Sequence, residues 1–144
     1  MILDAQNLYS DAQALTATAA STNLIDHGSD RNIGIGEPLV VSLTVDVAAD
    51  FTSANETYQF DLETDDNAAF SSATVVVSRI ITAAVLTLGS KHAIPVPPDT
   101  RMERFSRINY TLGGTTPTVT VTAALLPQSF LQNEFAYPDG FTIS

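Results

Sequence analysis

Apolar and polar residues alternate with a period of two along most of this chain, which is typical of half-buried β-strands. The alternation is clearest in residues 104–125. Ile108, Tyr110 and Leu112 share one face of the first half, and every second residue from Val119 to Leu125 is Val, Ala or Leu. Residues 113–117 separate the halves with two glycines and a proline, which is a turn composition. The pattern predicts a β-hairpin over residues 104–125.

The same alternation predicts two long strands in the first half of the chain, at residues 39–47 and 58–63. Shorter strands are expected at 15–19, 22–25, 74–77, 80–88 and 91–94, with loops at 26–32, 50–55, 64–72 and the proline-rich 95–99. Apolar residues do not recur at helical spacing over three turns. The chain is therefore predicted to be all-β, an antiparallel β-sandwich of about eight strands and jelly-roll or immunoglobulin type.

The domain organisation follows from the ends of this pattern. We expect an N-terminal arm at residues 1–12, a sandwich at 13–126 and a C-terminal tail at 127–144. The arm contains four apolar residues that would be unfavourable in water, so it should pack on its own sandwich or on a neighbouring chain. The candidate interface residues at the two ends are Ile2, Leu3, Leu8, Tyr9, Phe135, Tyr137 and Phe141.

Charge narrows the classes of partner. Sixteen acids and six bases give a net charge of −10, which disfavours nucleic acid and anionic membranes as partners. The first residues lack the basic region of a secretory signal, and the longest apolar run, 80–88, is too short to span a bilayer. Only 15% of the residues are charged, against about a quarter in most domains. A surface on which residues such as Thr stand in place of charged ones suggests contact with other protein, although Thr is also favoured on the outward faces of strands.

Three arginines, Arg101, Arg104 and Arg107, hold half of the positive charge within seven residues. We favour a docking patch that binds carboxylates of a partner or of another copy, because the guanidinium group binds a carboxylate through two hydrogen bonds. The alternative is that they pair with the protein's own surplus of acids.

Residues that could carry chemistry are sparse. His27 and His92 each stand alone, and the absence of cysteine excludes disulfides and thiolate metal sites. Asp65 and Asp66 resemble part of a calcium loop but lack its spaced ligands, so a solvated turn is the better interpretation. No nucleophile elbow or dinucleotide-binding pattern occurs. We therefore predict no catalytic, cofactor-binding or metal-binding residues, although acids on different strands could still meet in space as a glycosidase pair.

Several segments of the sequence resemble the cement proteins of tailed bacteriophages, the capsid-decoration proteins of the Bordetella-phage type. The resemblance begins with MILDAQNLYSDAQAL and ASTNLID, continues through DRNIGIGEPL and FDLETDDNAAF, and includes RFSRINY before the glycine-rich turn. These segments follow one another in order over nearly the whole chain. The resemblance implies a jelly roll on the outer surface of an icosahedral head that bridges major capsid subunits, with no enzymatic activity.

We accordingly expect a structural virion protein that is made in the host cytoplasm and binds the major capsid protein and itself. A homodimer is the first expectation for its self-association and a trimer the second. A carbohydrate- or receptor-binding β-module is the main alternative, although the absence of Trp argues against a lectin site. A β-sandwich hydrolase is a third possibility, for which no catalytic constellation is present.

Overall fold

The computed structural model describes residues 5–33 and 35–130. Eleven β-strands and three short 3₁₀ turns make up the regular structure of these residues, in agreement with the predicted all-β class. The strands are β1 (Leu8–Leu15), β2 (Ala19–Ala20), β3 (Ile25–Asp26), β4 (Arg31–Ile33), β5 (Leu39–Val47), β6 (Thr57–Asp65), β7 (Thr74–Ile80), β8 (Lys91–Pro95), β9 (Thr100–Met102), β10 (Phe105–Gly113) and β11 (Val119–Pro127). The 3₁₀ turns are Ala5–Asn7, Ala83–Val85 and Gln128–Phe130.

Eight of the strands form two antiparallel sheets packed face to face. The first sheet has the order β1-β11-β5-β8 and the second β2-β10-β6-β7, with β3 also paired to β10. In chain order the eight strands are β1, β2, β5, β6, β7, β8, β10 and β11. They pair from the two ends of this order inward, as β1-β11, β2-β10, β5-β8 and β6-β7, and successive pairs alternate between the two sheets. This is the connectivity of a jelly roll. The predicted jelly-roll sandwich is therefore confirmed, with the short pair β4-β9 added at one end.

The hairpin predicted for residues 104–125 is wrong. Its two strands exist, but β10 pairs with β6 and β11 pairs with β5, so the chain crosses from one sheet to the other between Gly113 and Val119. Ile108 and Tyr110 then face Val119 and Val121 across one core. A period-two pattern requires a buried face on each strand and does not distinguish hydrogen-bonded neighbours from strands that face each other across a sandwich.

Alternating residues of both sheets fill a single apolar core. Its largest fully buried side chains include Tyr9, Tyr58, Tyr110 and Phe60. The rings of Phe60 and Tyr110 meet edge to face, with centroids 5.8 Å apart. Such a pair stabilises the core by about 0.5–1.5 kcal/mol beyond the area that it buries.

The structure also corrects two predicted boundaries. The sandwich begins at Leu8 because β1 pairs with β11, so residues 8–12 are a strand of the domain and not part of an arm. The pairing of β1 shifts register between Ser10 and Gln13, where Ala12 has a φ of 47°, and this bulge disrupts the regular alternation. The predicted strand at residues 80–88 is wrong as well, since β7 ends at Ile80 and the 3₁₀ turn Ala83–Val85 follows.

Candidate functional site

The two ends of the sandwich differ in chemistry. The connections 48–56, 81–90 and 114–118 meet at one end, and the connections 66–73 and 96–104 lie at the other. We call the first the apolar end and the second the charged end. In the three connections of the apolar end the only charged residues are Asp50 and Glu56, and Glu56 is buried.

Five large apolar side chains are exposed at the apolar end. Leu88 is 73% and Ile80 69% exposed, and Val47, Phe51 and Val85 are each about half exposed. Backbone hydrogen bonds hold this surface to the sandwich, because Ala49 N donates to Leu86 O and Gly89 N to Val45 O. The exposed apolar surface is thus part of a fixed framework, which is the property of an interaction surface.

A shallow hollow of about 140 Å³ opens between two of these side chains. Phe51 and Ile80 line it together with the apolar Ile81, Ala83 and Ala84. Its lining is almost entirely apolar, so it suits an apolar side chain of a partner better than a polar ligand.

Carboxylates hold the loop that carries Phe51. Asp50 accepts hydrogen bonds from the backbone N–H and hydroxyl of Thr52, and these bonds lower the pKa of Asp50. Glu56 accepts from the backbone N–H groups of Ser53 and Asn55 and so closes the loop from below. The two acids of the apolar end are therefore used to order the loop.

The loop is also joined to the connection that crosses between the sheets. Asn55 Nδ2 donates to Thr115 Oγ1 at 3.2 Å, and Thr115 N donates back to Asn55 Oδ1 at 3.0 Å. Gly114 has a φ of 92°, and a Cβ atom there would lie 2.4 Å from Asn55 O. Only glycine permits this approach of two backbones.

The charged end contains all three arginines of the predicted docking patch, and each has an acid of its own chain as partner. Arg101 Nη2 lies 2.8 Å from Asp30, Arg104 Nε lies 3.0 Å from Asp26, and Arg107 Nε lies 3.0 Å from Glu63. The structure thus supplies the intrachain pairs of the alternative explanation. A further contact across a subunit boundary stays a prediction, and Arg101, whose side chain is 72% exposed, is the most accessible of the three.

The pKa values of several charged groups at this end reflect these pairs and the acids around them. The hydrogen bond from Arg104 lowers the pKa of Asp26 and raises the pKa of Arg104 itself. Asp66 behaves in the opposite way, since the nearby carboxylate of Asp30 raises its pKa. The arginines therefore offset only part of the acidic charge at this end.

Arg107 differs from the other two in its surroundings. It lies directly opposite Glu63 in the pairing of β10 with β6, and its guanidinium carbon is 4.2 Å from the centre of the Phe70 ring. Phe70 belongs to a loop that Asp65 closes by accepting from Asn67 N and Ser72 N. The predicted solvated turn at 64–72 is thus an ordered loop whose first carboxylate is occupied by backbone N–H groups, and Arg107 holds it against the sheet.

The histidines occupy different environments. His27 Nε2 lies 3.0 Å from Ser106 Oγ, which in turn contacts Tyr9 OH at 2.8 Å. Burial lowers the pKa of His27, and burial also lowers the pKa of His92. Ser106 and Tyr9 are completely buried, so the cluster satisfies polar groups of the core and does not present a nucleophile at the surface.

The predicted interface residues are therefore distributed unevenly. Tyr9 is wrong as an interface residue, because it is completely buried in its own sandwich, while Leu8 is half-buried at the start of β1. Ile2, Leu3, Phe135, Tyr137 and Phe141 lie outside the described residues. The sequence did not point to Val47, Phe51, Ile80, Val85 and Leu88 as a surface. The available indication was a segment, residues 81–90, that contains no charge and whose apolar residues do not alternate.

Residues 5–33 and 35–130 contain no group of three or more His, Asp or Glu side chains placed to hold a metal ion. Over the same residues there is no helix with the length and apolar character needed to cross a membrane.

Comparison with known proteins gives a family but no individual relative. No curated protein matches the chain. Residues 9–125 match the Bbp16 family, and this range runs from the second residue of β1 to the inward-facing Leu125 of β11, so it includes most of these two strands and the whole of the strands between them. Since the match includes far more than half of the chain, the protein belongs to the Bbp16 family, a family of Bordetella phage proteins.

Proposed function

We propose that this protein is a structural virion protein that binds the outside of an icosahedral phage head and cements neighbouring major capsid subunits. The observation that carries the proposal is the apolar end of a jelly roll from a phage protein family: five exposed apolar side chains at an end whose ordered connections contain only two charged residues. We assign this end to the contact with the shell. In this proposal the protein has no enzymatic activity and no cofactor.

The energetics of such a contact suit a cement protein. Complete burial of a large apolar side chain contributes about 1.5–3 kcal/mol, and side chains that are already half buried contribute less. Association also costs several kcal/mol in lost freedom, so one apolar end supports only modest affinity. Many copies on one shell, or several apolar ends in one oligomer, would raise the total strength without new contacts.

We further propose self-association, with a dimer as the first expectation and a trimer as the second. A closed symmetric oligomer would present more than one apolar end to the shell. The net charge of −10 disfavours nucleic acid and anionic membrane as partners and favours a shell surface that is neutral or basic.

The test is retention on heads that lack the protein, measured by co-sedimentation at rising salt. Burial of apolar surface persists at high salt, whereas contacts made by arginines are screened. We expect the parent protein to bind heads and to stay bound as salt rises. Failure of the parent to bind intact heads would overturn the cement function. Binding that is lost at moderate salt would overturn the assignment of the apolar end and favour the arginines.

Two isoleucines provide a matched pair of variants. Ile80 at the apolar end and Ile35, before β5 and away from that end, are both 69% exposed. Ile80→Ser should weaken retention on heads roughly tenfold or more, while Ile35→Ser should bind like the parent. Equal retention of both variants would contradict the assignment of the apolar end. If neither parent nor variants bind heads but the parent binds a glycan array, the carbohydrate-binding alternative is correct.

A further inference from the structure

Each of the two main sheets has two edges, and three of these four edges carry features that disfavour the addition of another strand. β1 contains the bulge at Ala12, and the edge formed by β2 and β3 consists of two-residue strands. β8 ends in Pro95, and the carbonyl of Ala93 in this strand accepts a hydrogen bond from Arg79 Nη1 at 2.6 Å. Natural sheets protect their edges in these ways.

The edge of β7 has less protection. The strand has the sequence TVVVSRI, which is rich in β-branched residues and contains neither proline nor lysine. Its single charge, Arg79, is used for the contact with β8. Within residues 5–33 and 35–130 no strand pairs with the outer side of β7. A bulge at Val76 disrupts the first half, so residues 77–80 form the regular part of this edge.

The register with β6 shows which backbone groups point outward from this part. Ile81 N donates to Tyr58 O at 3.1 Å, and the pairs that follow keep this register as far as Val77. Hydrogen-bonded and non-hydrogen-bonded pairs alternate along an antiparallel ladder. Ser78 and Ile80 therefore direct their N–H and C=O groups away from β6, toward the outer edge.

The regular part of the edge leads into the hollow of the apolar end. Ile80 is the last residue of β7 and also lines the hollow, together with the exposed Ala84. A strand edge beside an apolar hollow is a combination by which proteins bind extended peptides. Main-chain hydrogen bonds then supply affinity, and the hollow selects a side chain.

Two features argue against a second copy of this chain as the occupant. A two-fold pair of β7 strands would be limited to a few residues of each copy, because the bulge at Val76 lies on one side and the strand ends at Ile80 on the other. Each copy also has a net charge of −10, so two copies repel each other. A segment of another protein needs no symmetric register, and a neutral or basic segment is not repelled.

We propose that the outer edge of β7 binds an extended segment of the major capsid protein. The segment adds to the sheet as a further strand beside residues 77–80 and places an apolar side chain in the hollow between Phe51 and Ile80. This inference rests on the proposed cement function, and it identifies the kind of shell element that reaches the apolar end. The segment is neutral or basic, in keeping with the charge of this protein.

Two substitutions of Ser78 test the strand addition by co-sedimentation with heads that lack the protein. Ser78→Pro removes an outward N–H group and no hydrogen bond to β6, and proline is tolerated at such edge positions. Ser78→Ala is the control, because it also loses the contact of the hydroxyl with Gln59 Nε2 but keeps the N–H group. We expect retention of Ser78→Pro to fall roughly tenfold, as loss of a main-chain hydrogen bond at an interface implies, while Ser78→Ala binds like the parent.

The outcomes separate this inference from the function on which it rests. Failure of the parent to bind heads would overturn the cement function and the inference with it. If the parent binds and the two Ser78 variants are retained equally, the cement function stands and the strand addition is wrong.

A second measurement uses the natural chain and does not depend on the folding of a variant. Hydrogen exchange is compared between the free protein and the protein bound to heads. We expect the amides of Ser78 and Ile80 to exchange at least roughly tenfold more slowly on heads, with little change in residues 91–95 of β8. Unchanged exchange in β7 would overturn the proposal. Protection of β7 in concentrated protein without heads would do so as well, because the occupant would then be a second copy.

The hollow is tested by a variant that fills it. Ala84→Phe places a large apolar side chain of the chain itself in the hollow, and Ala68→Phe adds the same ring at an exposed position of the charged end. We expect Ala84→Phe to be retained on heads several times less than Ala68→Phe. Equal or stronger retention of Ala84→Phe would overturn the placement of a shell side chain in the hollow.

Discussion

Removal of the Ser10 hydroxyl should destabilise the core by an amount that its hydrogen bonds define. Ser10 is completely buried, and its Oγ donates to Gln13 Oε1 at 2.6 Å and contacts Tyr110 OH at 2.7 Å. Because the Ser10 proton is used for Gln13, Tyr110 is the donor in the second bond. Ser10→Ala therefore leaves the hydroxyl of Tyr110 without an acceptor in a dry environment.

The expected cost is that of a buried, unpaired donor, about 1–3 kcal/mol. In a domain of this size each kcal/mol lowers the melting temperature by about 3 °C, so Ser10→Ala should melt about 3–9 °C below the parent. Tyr110→Phe keeps the ring and the Ser10–Gln13 bond, so it should cost only about 0.5–1.5 kcal/mol. The double variant removes donor and acceptor together and should be clearly less destabilised than the sum of the two.

Urea unfolding of the four proteins, with the slope compared as well as the midpoint, measures these differences. Additive effects in the double variant, or a Ser10→Ala protein within about 0.5 kcal/mol of the parent, would refute the assigned hydrogen bonds. Alkaline pH gives an independent check. Burial raises the pKa of Tyr110 above its ordinary value of 10, so the folded state holds the proton while the unfolded state loses it. Stability should therefore fall as pH rises above about 10, and Tyr110→Phe should reduce that fall.

Three further predictions concern the loops and the histidine cluster. Gly114→Ala should lower the melting temperature more than Gly36→Ala, because both glycines have positive φ but a Cβ atom meets backbone only at Gly114; equal losses would show that φ alone matters. Arg107→Ala should lower the free energy of unfolding in urea by about 1–2 kcal/mol. Arg107→Lys should restore little of this stability, because a lysine lacks the planar fork that pairs with the acid. Full recovery of stability in the lysine variant would assign the effect to charge alone. The pKa of His27 is lowered in the folded state, so the folded protein favours the neutral imidazole and its stability should fall as pH drops below about 6.5. His27→Gln should make the free energy of unfolding depend less on pH in this range. A dependence as steep as that of the parent would point to His92, whose pKa is also lowered.

The alternation of apolar and polar residues was sufficient to predict the strand class and several strands. Leu39–Val47 matches its predicted bounds, and the observed bounds of β8 and β10 differ from the predicted ones by a residue at one or both ends. These strands are long or regular, and each has one face in the core, so the period of two is visible in the sequence. The absence of charge in residues 80–88 was visible as well, but this segment was predicted to be a strand because nothing local marks a surface as exposed.

Pairing was decided only by the tertiary structure. A hairpin and a crossing between two sheets place the same residues of β10 and β11 in the core, so the alternation is equal for both. The choice depends on contacts between distant segments, such as the approach of Gly114 to Asn55 and the hydrogen bonds of Thr115. The burial of Tyr9 was hidden for a similar reason, since the bulge at Ala12 interrupts the period of β1.

The candidate site, like the strand pairing, was decided only by the tertiary structure. Phe51 follows β5 and Ile80 ends β7, and only the jelly-roll connectivity brings them to one end of the sandwich. The arginines lie close together in sequence, yet their partners Asp26, Asp30 and Glu63 come from other strands and loops. A sequence by itself determines which residues can be buried or charged, through periodicity and composition. The tertiary structure decides which of them meet, because the contacts join residues that are tens of positions apart and their free energy is realised only when both are in place.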